Sequence, residues 1–111
     1  MSVAPVPNGT PGESVLLAAR PRVPEHVVYR TFVNETVVLN LETGRYHGVN
    51  PIGGRMLEAL ERAETVADAV GRLGEELRDV ALDELERDVC AFCADLLERG
   101  LIELSPNGRH G

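Results

Sequence analysis

The stretch Val37-Val38-Leu39-Asn40-Leu41-Glu42-Thr43-Gly44-Arg45-Tyr46-His47-Gly48-Val49-Asn50-Pro51-Ile52-Gly53 changes its hydrophobic period part-way along, and that change sets the fold. Residues from Thr36 to Leu41 alternate, with Val37, Leu39 and Leu41 on one face and Thr36, Val38 and Asn40 on the other. Period two predicts a strand with one face on a core. Glu42-Thr43-Gly44 supplies a turn, with Gly44 free to take a positive φ, and Arg45 to Val49 forms a short strand after it. Asn50-Pro51 then starts a helix: Asn suits the N-cap, and Pro suits the first helical position, where its missing N–H costs nothing. Upstream, the β-branched and aromatic run His26 to Val33 predicts another strand, turned at Asn34-Glu35.

Downstream the spacing is helical. Ile52, Met56, Ala59, Leu60 and Ala63 mark one helix, and Val66, Val70, Leu73 and Leu77 mark a second that opens with Thr65 and Asp68. The third opens near Asp83 and Glu86, carries the stripe Leu85, Val89, Phe92 and Leu96, and ends at Gly100 as a C′ glycine. Leu101 to Leu104 adds an extended segment. The fold class expected is therefore α+β, a three-stranded antiparallel meander followed by three helices. Residues 1–24, with Pro5, Pro7, Pro11, Pro21 and Pro24, read as a flexible arm, residues 25–104 as one domain, and residues 105–111 as a polar tail.

Composition narrows the function. The chain has no lysine, which removes Schiff-base and Walker-type lysine chemistry. Its formal net charge is −7, and from Glu25 to Leu104 8 Arg face 17 Asp and Glu. Such a domain repels phosphate backbones and anionic lipid, so neither nucleic acid nor a membrane surface is an expected partner. No signal peptide or spanning segment is evident, and two cysteines make no disulfide framework, so a cytoplasmic location is expected.

No reactive constellation emerges either. Cys90 and Cys93 sit well inside the third helix, where the N-terminal dipole no longer lowers a thiol pKa. A lone CxxC supplies two of the four ligands that a structural zinc needs. Ser2, Ser14 and Ser105 all fall in the predicted arm and tail. The expectation is no enzyme, no catalytic residues, no metal and no cofactor. What remains is a topological feature: Arg45 to Val49 is an edge strand if strand order follows the chain, and neither Pro nor Lys blunts it. An open edge beside a helix suits strand addition by a peptide. The same edge could pair with a second copy to give a homodimer.

The quoted stretch resembles the signature of PqqD-like proteins: an apolar strand, a turn ending in Gly, a basic-aromatic pair, an apolar-Asn step and a helix. Arg20-Pro21-Arg22-Val23 and the segment ending Leu97-Glu98-Arg99-Gly100-Leu101-Ile102 extend the similarity over about Arg20 to Leu104. It departs at His47-Gly48, where relatives often carry a bulkier residue. The resemblance implies a winged-helix-turn-helix-like fold and a non-catalytic recognition protein that binds the leader of a ribosomally made precursor peptide and presents it to a maturation enzyme. A leader peptidase of lasso-peptide pathways is the first expectation for that enzyme, and a radical enzyme of pyrroloquinoline quinone biosynthesis is the second. The implied peptide-binding residues are Arg45, Tyr46, His47, Gly48 and Val49 on the edge strand, with Glu86, Cys90, Cys93 and Leu97 on the third helix. The rivals are a winged-helix DNA binder and a dimerisation module. DNA binding is disfavoured because Arg87 and Arg99 are outnumbered by acids on that helix.

Overall fold

Three strands form the expected meander in the computed structural model, which describes residues 12–106. These are β2 (Val27–Thr31), β3 (Thr36–Asn40) and β4 (Tyr46–Val49), paired antiparallel in the order β2-β3-β4. Three helices follow, α2 (Pro51–Arg62), α3 (Val66–Glu76) and α4 (Leu82–Glu98), which confirms the α+β class. Ahead of the sheet stand α1 (Glu13–Ala18) and β1 (Arg20–Arg22), and β1 pairs antiparallel with β5 (Glu103–Ser105).

The local signals act as their chemistry dictates. Asn40 folds its Oδ1 back to accept the N–H groups of Glu42 (2.9 Å) and Thr43 (3.3 Å), and Gly44 takes a φ of 76°. This side-chain turn satisfies a buried amide and aims the chain into β4. Asn50 caps α2 by accepting the Gly53 N–H at 2.7 Å, with Pro51 at the first position. Thr65 accepts the Asp68 N–H at 3.1 Å, and Asp68 accepts the Glu64 N–H at 3.3 Å. Gly100 ends α4 with a φ of 73°. α4 opens at Leu82, one residue before the expected Asp83 start, and its N-terminus has no side-chain cap.

Two features were not legible in the pattern. The face of β3 turned to the helices is Thr36, Val38 and Asn40, all buried, while Val37, Leu39 and Leu41 face outward. Thr36 takes its place because Gly54 on α2 leaves room for it. The expected flexible arm is also corrected. Within residues 12–24, Leu16 is only 3% exposed and Ala19 5%, and α1 packs on both α3 and α4. The Ala19 carbonyl accepts the Val66 N–H at 3.0 Å, tying the segment to the start of α3. Pro21 is accommodated because it sits within a three-residue strand that, among the described residues, pairs on one side only, where its missing donor is tolerated. Residues 1–11 of that arm and 107–111 of the tail lie outside the described residues.

Burial of Leu16 makes a direct prediction. Leu16→Ala should destabilise the protein by about 2–4 kcal/mol, the cost of deleting a buried leucine side chain. Urea unfolding of the full chain measures it, and a loss below about 0.5 kcal/mol would show that α1 is not docked in solution.

Candidate functional site

Backbone phase decides what the edge strand offers. Asn40 donates its N–H to the Arg45 carbonyl at 2.9 Å, and the same register continues through Leu39↔Tyr46, Val38↔His47, Val37↔Gly48 and Thr36↔Val49. Antiparallel pairs alternate between those that exchange backbone bonds and those that do not. His47 and Val49 therefore direct their N–H and C=O to β3, while Tyr46 and Gly48 direct theirs outward. Bonds from Leu41 N–H to the His26 carbonyl (2.6 Å) and from Phe32 N–H to the Glu35 carbonyl (2.7 Å) give the opposite side of β3 the complementary phase. Among the described residues no strand pairs with the outward side of β4.

A groove of about 570 Å³ runs beside this edge. Gly48, Val49, Asn50, Ile52, Gly53 and Met56 line it from the strand and the start of α2. Asp88, Ala91, Phe92 and Asp95 line it from α4. Gly53 lets the walls approach, since a Cβ there would lie 3.2 Å from the Val49 Cβ and 3.5 Å from the Phe92 ring. One end is tied across: Arg99 donates from Nε to both Asp95 oxygens at 3.1 Å, and its terminal nitrogen lies 3.0 Å from His47 Nδ1.

The edge-strand residues expected from sequence are thus partly gathered here. Gly48 and Val49 line the groove, His47 bridges to Arg99, Tyr46 is 72% exposed on the outer face, and Arg45 lies exposed just before β4. The helix residues are not. Glu86, Cys90, Cys93 and Leu97 lie roughly half a turn away from Asp88, Ala91, Phe92 and Asp95 around α4. Cys90 and Cys93 are 2% and 0% exposed within the core, Leu97 packs on that core, and Glu86 is half-buried. α1 packs on both α3 and α4, with Glu13 near enough to Cys90 to act on its thiol, while Phe92 is partly buried against the core and also lines the groove. Spacing alone allowed either Phe92 or Cys93 to complete the stripe from Leu85 and Val89. The general tendency of cysteine to be buried was the available signal.

Burial pushes the Cys90 thiol from 9.0 up to about 11, aided by Glu13 and Glu86, and the Cys93 thiol up to about 12, aided by Cys90. Raised pKa values mean the folded protein favours the neutral thiols. Their contribution to stability is complete below pH 9 and is lost as pH rises from 9 towards 12. Tyr29 acts in the same direction, its phenol raised by burial and by its hydrogen bond to Glu61. Urea unfolding at pH 8 and pH 10.5 should show a loss for wild type, and a smaller loss for Cys90→Ala with Cys93→Ala. Equal losses in both would remove the thiols from the pH response. Among the described residues no group of His, Cys, Asp and Glu is arranged to hold a metal ion, and no helix is long and apolar enough to cross a membrane.

The profile of the family described as Coenzyme PQQ synthesis protein D (PqqD) matches residues 35–102, from the loop before β3 to the residue before β5. The chain belongs to the PqqD family. Two solved structures share its fold. One, described as TbiB1 in complex with the TbiA(beta) leader peptide, is 28% identical, with a TM-score of 0.66 over 81% of this chain and 99% of that one. The other, described as lasso peptide synthetase B1 complexed with the leader peptide, is 22% identical, with a TM-score of 0.64 over 77% of this chain and 99% of that one. No curated protein matches the sequence. The PqqD-family match begins after β2 and stops before β5, so α1, β1, β2 and β5 lie outside it.

Proposed function

We propose that this PqqD-family chain is a non-catalytic recognition element that binds the leader of a ribosomally made precursor peptide by strand addition to β4. The observation that carries the reading is the outward phase of Tyr46 and Gly48 beside a groove whose floor is apolar. Backbone donors and acceptors there give affinity without regard to sequence, and the groove selects side chains. In an added strand, residues opposite His47 and Val49 turn towards α4, and those opposite Tyr46 and Gly48 turn to the outer face of the sheet. Val49, Ile52, Met56 and Phe92 offer the inward residues apolar contact. The 28% identical relative bound to a leader peptide supports a leader as the ligand. As the enzyme that receives it we propose a lasso-pathway leader peptidase, ahead of a radical enzyme of quinone cofactor synthesis, on the sequence resemblance of the Asn40–Gly53 stretch.

Filling the groove tests this reading. Ala91 is exposed and lines it, so Ala91→Trp adds bulk without touching the core. Fluorescence polarisation with leaders encoded beside this gene should show at least a tenfold weaker complex, while the melting temperature stays within about 2 °C. Unchanged affinity would place the leader elsewhere. Self-pairing of the edge makes a different prediction: light scattering would show a dimer that leader peptide dissociates.

A further inference from the structure

The groove is electrically polar along its length, and this bears on which leaders it accepts. Its α4 wall carries two carboxylates, Asp88 and Asp95, which lie two turns apart, about 10 Å along the helix. They are not equivalent. Asp95 is neutralised by Arg99, which holds both its oxygens. Asp88 forms no ion pair among the described residues, and its neighbour Arg87 leans instead to Asp83 at 3.9 Å. The end near Asp88 is therefore negative. At the other end Arg99 is spent on Asp95 and His47, but Arg45 precedes β4, exposed and without an ion-pair partner among the described residues. Phe92 stands between Asp88 and Asp95 along the α4 wall, and Arg45 shares the helix-facing side of the edge strand with His47 and Val49, beyond the Asp95 end, where Arg99 meets His47.

We infer that the groove recognises a charge-ordered strand: a cationic side chain over Asp88, an apolar one over Phe92, and an anionic one at Arg45. This rests on strand addition at β4 and specifies the ligand for it. Groove-facing residues of a strand recur every second position at about 3.3 Å per residue, so the two charges stand about four residues apart with the apolar residue midway. Every neighbour in this sheet is antiparallel. An added strand of the same sense starts at the Val49 end, so the order along the peptide is basic, apolar, acidic. A peptide entering in the reverse sense sets like charges together at both ends. The pair Asp88 and Arg45 thereby fixes direction, which backbone bonding alone leaves open.

The experiment uses the full chain as bait for a random library of about twelve-residue peptides displayed on phage, at low salt. The expected consensus is Lys or Arg, an apolar residue two positions on, and Asp or Glu two further. Selection against Asp88→Lys, an exposed position, should convert the first residue to Asp or Glu. A synthetic consensus peptide should bind about tenfold more tightly than the same peptide with its charges exchanged, since two exposed pairs change sign. If peptides captured by wild type are lost with a folded Gly48→Pro variant but keep one consensus against Asp88→Lys, the charge inference is overturned while strand addition stands. If no captured peptide depends on Gly48, strand addition itself fails and the inference falls with it.

Discussion

Gly54→Ala is expected to cost about 3 kcal/mol or more of stability, the largest loss from a Cβ added at any glycine among the described residues. A Cβ at this position would lie 2.1 Å from Thr36 Oγ1 and 2.9 Å from Thr36 Cβ. Thr36 is fully buried and sits in β3 across from Val49, so it has no room to withdraw. Inserting a methyl group into a packed core typically costs 1–3 kcal/mol, and a contact this short lies at or beyond the upper end. Helix propensity works the other way, favouring Ala over Gly by up to about 1 kcal/mol, and is too small to compensate. Because Gly54 and Thr36 share one space, their substitutions should not add. Gly54→Ala combined with Thr36→Ala should be at least about 1 kcal/mol more stable than the sum of the two single changes predicts. Urea unfolding of the four proteins measures this. An additive result, or a Gly54→Ala protein as stable as wild type, would mean that α2 does not approach the sheet as described.

This contact also shows where sequence reading succeeds and where it stops. Period and punctuation were enough for the meander, the Asn40–Gly44 turn, the Asn50-Pro51 start and the Gly100 stop, because each rests on interactions within a few residues. The choice of face on β3 was not local. Val37, Leu39 and Leu41 are the more apolar set, yet the buried set contains Thr36 and Asn40. Thr36 fits a notch that Gly54 makes from another element, and Asn40 spends its side chain on the turn that follows it. The edge strand itself was legible, since chain order and strand order coincide. Its groove was only half legible: Gly48 and Val49 belong to it, but the α4 wall had to be found from the tertiary packing. Helical spacing admits Cys90 and Cys93 as either groove or core, and their burial follows from contacts with elements distant in sequence.

The second large effect concerns that edge. Proline removes an N–H and leaves a ring in its place, so its consequence along β4 should alternate with backbone phase. At His47, whose N–H points to β3 opposite Val38, proline breaks a ladder bond beside the core and separates the strand from Arg99. That variant should melt far below wild type. At Tyr46 and Gly48 the N–H points outward, and His47, which precedes Gly48, lies within the strand, as proline prefers. At Gly48 the nearest group to an added Cβ is the Glu35 carboxylate at 3.0 Å, the mobile end of a long side chain. Both variants should fold. Each lacks one donor for the incoming strand, worth about 0.5–1.5 kcal/mol, and the ring clashes with that strand as well. Leader affinity should then fall tenfold or more.

The most direct test of strand addition is therefore leader binding to Gly48→Pro, measured by fluorescence polarisation on protein whose melting temperature shows it to be folded. Strand addition at β4 predicts a folded protein with binding reduced at least tenfold. A folded Gly48→Pro protein that binds leader as tightly as wild type would contradict it.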